Sequence, residues 1–86
     1  MNTSWNEQES ALVKTFKFED FKAAVAFVNK VAAVAEELQH HPDILIKDYN
    51  HVVITTATHD AGSAVTAKDH ALAGAIDAIT IPTSIS

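Results

Sequence analysis

The feature that most constrains this chain is a change of apolar period between Lys17 and Phe21. Upstream, Leu12-Val13-Lys14-Thr15-Phe16-Lys17-Phe18 alternates. Leu12, Lys14, Phe16 and Phe18 fall on one parity and Val13, Thr15 and Lys17 on the other, the repeat of a strand with Lys14 near its exposed start. Downstream, Phe21, Ala24, Val25, Val28, Val31, Ala32, Ala35 and Leu38 recur at i, i+3 and i+4, which is the stripe of an amphipathic helix. Lys22, Asn29, Lys30, Glu36 and Glu37 lie off that stripe, and Phe27 stands at its margin, where burial is the expected outcome. The segment is rich in alanine and holds no internal Gly or Pro, so propensity agrees with pattern. Glu19-Asp20 places carboxylates where the start of a helix favours them.

The remaining segments are shorter. Trp5 to Glu9 fits a short edge strand or an irregular lead-in equally well. After Pro42, Ile44-Leu45-Ile46 is long enough for one strand, and Lys47-Asp48-Tyr49-Asn50 is turn material, with Tyr49 expected to pack against the turn. His51 to Thr58 is rich in β-branched residues and completes a β-hairpin. Alternation puts Val52, Ile54 and Thr56 on one face and Val53, Thr55, Ala57 and His59 on the other. Residues 60–65 read as a loop. Thr66-Ala67-Lys68-Asp69 has the spacing of a capping box, with Asp in place of the usual Glu. The helix it opens is expected to run to about Ile79, with Leu72, Ala75, Ile76 and Ile79 on its apolar stripe, before a loose tail at 80–86. This order, without long crossovers, specifies an α+β fold: a small antiparallel sheet of about four strands with both helices packed on one face.

With 86 residues, 48% of them apolar, the chain (1–86) is expected to form a single domain. A domain of this size buries only roughly 60–65% of its unfolded surface, and no cysteine is present to add a disulfide or thiolate ligand, so self-association is favoured. The net charge of −5 argues against direct nucleic-acid binding, which needs a basic surface. The N-terminal residues lack the basic start and apolar run of a signal peptide, and no apolar run approaches the ~20 residues that span a bilayer. The expectation is a soluble, cytoplasmic protein with no membrane contact.

Chemistry concentrates in Glu36-Glu37-Leu38-Gln39-His40-His41-Pro42-Asp43. Imidazoles exchange protons near neutral pH. The residue before a proline is pushed out of the helical region, so His41 is expected at or past the last turn and His40 on it, at the negative end of the helix dipole. Glu36, four residues earlier, is placed to reach the His40 imidazole. The candidates are therefore His40, His41, His59 and Asp69, with Glu36 as an orienting group. Each has a plainer reading: a solvated helix end for His40 and His41, an exposed strand end for His59, a helix cap for Asp69, a surface carboxylate for Glu36. They acquire weight if the fold gathers them at one rim. His51 and His70 read as solvated. Zinc binding by three histidines and Asp69 is awkward, because adjacent histidines point in different directions. No Gly-rich phosphate loop or nucleophile elbow is present.

From Trp5 to about Ile79 the sequence resembles the pterin-4a-carbinolamine dehydratase family. The resemblance is carried by Trp5-Asn6-Glu7, Phe16-x-Phe18-x-Asp20-Phe21-x-x-Ala24, Glu36-x-x-x-His40-His41-Pro42, Tyr49-Asn50, Thr58-His59 and Asp69. It implies that His40, His41 and His59 line a pterin pocket, with Glu36 and Asp69 orienting them. It also implies dehydration of the 4a-hydroxytetrahydropterin left by aromatic amino acid hydroxylases to quinonoid dihydropterin, and a homodimer or homotetramer. Such chemistry needs an acid for the leaving hydroxyl and a base for the N5 proton, and no metal or organic cofactor. His41 and His59 are assigned those roles and His40 a binding or assisting one. The alternative is a non-catalytic dimerisation or assembly module on the same fold. The sequence departs from the family pattern at Ile44, where an aromatic is common, and at Gln39, where an acid is common. It is also one residue longer between Pro42 and Tyr49, and longer between His59 and Asp69.

Overall fold

The computed structural model describes residues 5–8, 10–58 and 64–79, and His59 lies outside them. Among the described residues the chain runs β1 (Asn6–Gln8), β2 (Ala11–Lys17), α1 (Phe21–Leu38), β3 (Asp43–Lys47), β4 (His51–Thr56) and α2 (Ala67–Asp77). The strands form one antiparallel sheet in the order β1-β2-β4-β3. The expected α+β architecture is therefore present, and the lead-in at Trp5 to Glu9 does contribute an edge strand.

Register decides which side chains meet. Phe16 lies opposite Val52, Lys14 opposite Ile54 and Leu12 opposite Thr56, while Ile46 and Ile44 flank Val52 and Ile54 from β3. These residues share one face, and both helices cover it. Val52, Ile54, Ala24, Val31, Leu72 and Ile76 are fully buried, with Phe18, Phe27 and Ala35 nearly so. Burying a side chain of the Val, Leu or Ile kind contributes about 1.5–3 kcal/mol, so this cluster supplies most of the driving force. Phe27 sits at the centre of the α1 stripe, not at its margin, tilted against Phe16 and Phe18 with ring centroids 4.7 and 5.0 Å away. Phe21 and Leu38, expected on the buried stripe, are exposed because the stripe that meets the sheet is centred on Ala24, Phe27, Val31 and Ala35.

Three further expectations change. Lys14 is not at an exposed strand start. It lies on the helix-covered face, where its Nζ donates to Asp77 at 2.8 Å, and the Trp5 indole N–H donates to the same carboxylate at 3.0 Å. Tyr49 does not pack the hairpin turn. Asp48 and Tyr49 take left-handed conformations (φ 50° and 56°) that turn the Tyr49 ring outward, and Asn50 closes the turn by donating Nδ2–H to the Phe18 carbonyl at 2.9 Å. His51 is half-buried rather than solvated, and its buried Nδ1 has no hydrogen-bond partner among the described residues. His70 is exposed, as expected. The second helix stops at Asp77, two residues short of Ile79. No helix among the described residues is long and apolar enough to cross a membrane.

Candidate active site

Each helix terminus here is set by local chemistry. Asp20 opens α1 by accepting from the Ala23 N–H at 2.8 Å. The helix closes earlier than the proline alone would dictate, because Gln39 takes a left-handed conformation (φ 55°). The Gln39 and His40 N–H groups then donate back to the Glu36 and Ala35 carbonyls, at 3.3 and 3.1 Å. This is the double return bond of a Schellman end. His40 is thus beyond the last turn, not on it, and both histidines follow the helix end.

That early exit changes the partners. Glu36 does not reach His40; its Oε2 lies 2.6 Å from His41 Nε2, on the surface, with the two side chains 71% and 57% exposed. His40 turns inward instead, and its Nε2 lies 2.6 Å from Asp69 Oδ1. The side chain of Asp69 is fully buried. It belongs to the capping box that opens α2, its Oδ2 accepting from the Thr66 N–H at 2.9 Å. The helix-cap reading of Asp69 is correct, and the same carboxylate also anchors a histidine 29 residues earlier.

Two hydroxyls complete the set. Thr56 Oγ1 donates to Asp69 Oδ1 at 2.6 Å and Thr58 Oγ1 to Oδ2 at 2.7 Å. Thr66 Oγ1 lies 2.6 Å from Thr58 Oγ1. Since the Thr58 proton goes to Asp69, Thr66 is the donor of that pair. Each carboxylate oxygen therefore accepts two hydrogen bonds. A protonated carboxyl would need an acceptor opposite its own O–H, whereas an ionised one accepts only. Burial by itself would raise the Asp69 carboxyl, but hydrogen bonds from Thr56, His40, Thr58 and the Thr66 N–H outweigh it and hold the group well below the usual carboxylate range. An acceptor-only partner fixes the proton on His40 Nε2 and leaves Nδ1 facing away from the carboxylate.

The structure thus brings His40 and Asp69 into direct contact, places His41 with Glu36 beside them, and gathers the ends of α1 and β4 with the start of α2. His59, one residue after Thr58, lies outside the described residues. Thr56, Thr58 and Thr66 were not read as site residues from the sequence. The available signal was parity: Thr56 and Thr58 continue the buried face of Val52 and Ile54, so two hydroxyls had to be buried and partnered. Among the described residues no group of three or more His, Asp or Glu side chains is arranged to hold a metal ion.

The chain is similar to other proteins over most of its length. A protein of Thermomicrobium roseum, provisionally named pterin-4-alpha-carbinolamine dehydratase, is 52% identical over 80% of this chain and 72% of its own. One of Chloroflexus aurantiacus with the same provisional name is 51% identical over 87% and 78%. A solved structure described as a transcriptional coactivator/pterin dehydratase from Brucella melitensis superposes with a TM-score of 0.78 at 36% identity, covering 87% of this chain and 80% of that one. A second, described as a pterin dehydratase-like RuBisCO assembly factor of the alpha-carboxysome, superposes with a TM-score of 0.72 at 31% identity, covering 87% of both. Residues 1–79 match the pterin 4 alpha carbinolamine dehydratase family as a whole. The chain belongs to that family.

Proposed function

We propose that the protein eliminates water from a 4a-hydroxytetrahydropterin by histidine acid/base catalysis, in the recycling of tetrahydrobiopterin after aromatic amino acid hydroxylation. The supporting observation is that the adjacent His40 and His41 are each held through Nε2 by a carboxylate at 2.6 Å, one buried and one exposed. With Nε2 committed, each imidazole has Nδ1 left for a ligand.

In the reaction the C4a–O bond breaks as the hydroxyl oxygen takes a proton from an acid and leaves as water. The N5 proton passes to a base, and the electron pair of the N5–H bond forms the C4a=N5 double bond of the quinonoid dihydropterin. Nothing is oxidised or reduced. His41, exposed and oriented by Glu36, and His59 exchange these two protons, while His40, fixed by Asp69, contacts the pterin ring. Each positioned imidazole typically contributes ~10²–10⁴-fold. Stopped-flow absorbance with enzymatically generated 4a-hydroxytetrahydropterin tests this. Wild type accelerates water loss and the folded His41→Ala/His59→Ala double variant does not; near-normal turnover in that variant refutes the assignment.

A second reading, a non-catalytic assembly module, draws on the RuBisCO assembly factor that shares the fold. A folded wild-type protein that leaves the spontaneous dehydration rate unchanged would select it.

A further inference from the structure

Alternation along β4 asks for a third apolar residue after Val52 and Ile54, and Thr56 stands there, 1% exposed, opposite Leu12 of β2. A valine would fill the same space with no hydroxyl to bury, and a buried hydroxyl is costly unless it is bonded. Thr56 Oγ1 makes one hydrogen bond among the described residues, to Asp69 Oδ1 at 2.6 Å. The two oxygens of that carboxylate have separate partners. Oδ2 belongs to the start of α2: it accepts from the Thr66 N–H and from Thr58 Oγ1, which is itself bonded to Thr66. Oδ1 accepts from His40 Nε2 and Thr56. Taking the Thr56 hydroxyl away therefore leaves the α2 cap with its bonds and changes the oxygen against which His40 rests.

Two donors on one carboxylate oxygen share its charge. Alone on Oδ1, the imidazole would meet the whole of it, and an anion in contact favours the imidazolium form. With Thr56 beside it the pull is smaller, and the ring carries one proton, on Nε2, and a lone pair on Nδ1. That lone pair accepts from an N–H of a ligand, whereas an imidazolium would set N–H against N–H. The titratable groups on the segments that meet at His40 are Glu36, Glu37 and His41 at the end of α1, Asp43 at the start of β3, and Asp69 with its exposed neighbours Lys68 and His70 on α2. Among the described residues, Asp69 alone is within hydrogen-bond distance of the His40 ring, and Glu36 is engaged by His41. The end of β4 brings Thr56, which carries no charge.

We propose that Thr56 is a positioning residue for His40: acting through Asp69 Oδ1, it restrains the second protonation of the imidazole and keeps Nδ1 an acceptor for an N–H of the bound ring. The choice of a pterin as that ring rests on the function proposed above; the hold of Thr56 on His40 does not. Thr56→Val removes the hydroxyl and keeps the shape, Thr56→Ser keeps the hydroxyl, and Thr56→Ala takes the place of valine if circular dichroism shows the valine variant unfolded. Nuclear magnetic resonance titration of the His40 ring, without substrate, reads the first effect. The His40 midpoint rises by roughly one pH unit in Thr56→Val, a factor of about ten in proton affinity, and returns to the wild-type value in Thr56→Ser, while the His41 midpoint stays in place. Stopped-flow dehydration reads the second. Between the two His40 midpoints the KM of Thr56→Val rises up to roughly tenfold with kcat kept, and above both midpoints KM equals that of wild type. A His40 midpoint unmoved in the folded hydroxyl-free variant, a serine variant that behaves like the valine one, or a KM ratio that does not change with pH would each overturn the proposal. A wild type without dehydratase activity defeats the proposed function instead, and the resonance titration then decides the role of Thr56 by itself.

Discussion

Replacing Asp69 by Asn keeps the shape of the buried side chain and removes its charge, and the consequences follow from the four bonds it accepts. An amide has one acceptor and one donor end. With its nitrogen in the place of Oδ2 it would point a donor at the Thr66 N–H, so the favoured orientation puts nitrogen where Oδ1 was. That nitrogen faces Thr56, whose hydroxyl rotates to accept, and His40 Nε2, which must then give up its proton. His40 is driven to the Nδ1–H tautomer, opposite to that of wild type. Hydrogen bonds to a charged group contribute about 1.5–3 kcal/mol and neutral ones about 0.5–1.5. Converting four of them, offset in part by the lower cost of burying an amide, destabilises the fold by roughly 2–4 kcal/mol. This is a large share of the about 4–13 kcal/mol expected for a chain of this length.

The cost depends on pH with a definite sign. The Asp69 carboxyl is held below its ordinary value of 3.8 in the folded state, so as pH falls the unfolded chain takes up its proton first. Asp69's contribution is therefore fully present above about pH 4 and is lost as pH falls further toward the folded value. Urea denaturation of wild type and Asp69→Asn from neutral to acid pH should show a gap that is constant above about pH 4–5 and narrows below it. Nitrogen chemical shifts of His40 should report the exchange of tautomer. A gap under about 0.5 kcal/mol at neutral pH, well short of the bond arithmetic, would refute the reasoning. A gap that stays constant into acid would do the same, as would a His40 that keeps its proton on Nε2.

Other substitutions test the elements that hold the site. Asp20→Ala removes the acceptor of the Ala23 N–H and should cost about 1 kcal/mol in equilibrium denaturation, with Asp20→Gly costing less. Gly74 lies inside α2 with open space where a Cβ would be, so Gly74→Ala should raise stability by roughly 0.5–1 kcal/mol, seen as a higher Tm. A lower Tm would show that α2 sits closer to its surroundings than this geometry allows.

Much of the architecture is local and therefore written in the chain order. The alternation of Leu12 to Phe18, the 3.6-residue stripe after Phe21, the Asp20 cap and the Thr66–Asp69 box each depend on side chains within a few positions of one another. Physical chemistry at that range needs no knowledge of the rest of the molecule. The candidate residues His40, His41, Asp69 and Glu36 were legible for the same reason, as ionisable groups at the ends of such elements.

Which carboxylate holds which histidine was not legible. That depended on Gln39 taking a left-handed conformation and ending α1 early, so that Glu36 met His41 and not His40. The threonines around Asp69 come from the end of β4 and the start of α2, and only the packing of α2 over the sheet brings their hydroxyls onto one carboxylate. A buried ionised group is tolerated only where hydrogen-bond donors compensate its lost hydration. Those donors come from segments far apart in sequence, so the tertiary structure alone could decide where that charge would sit.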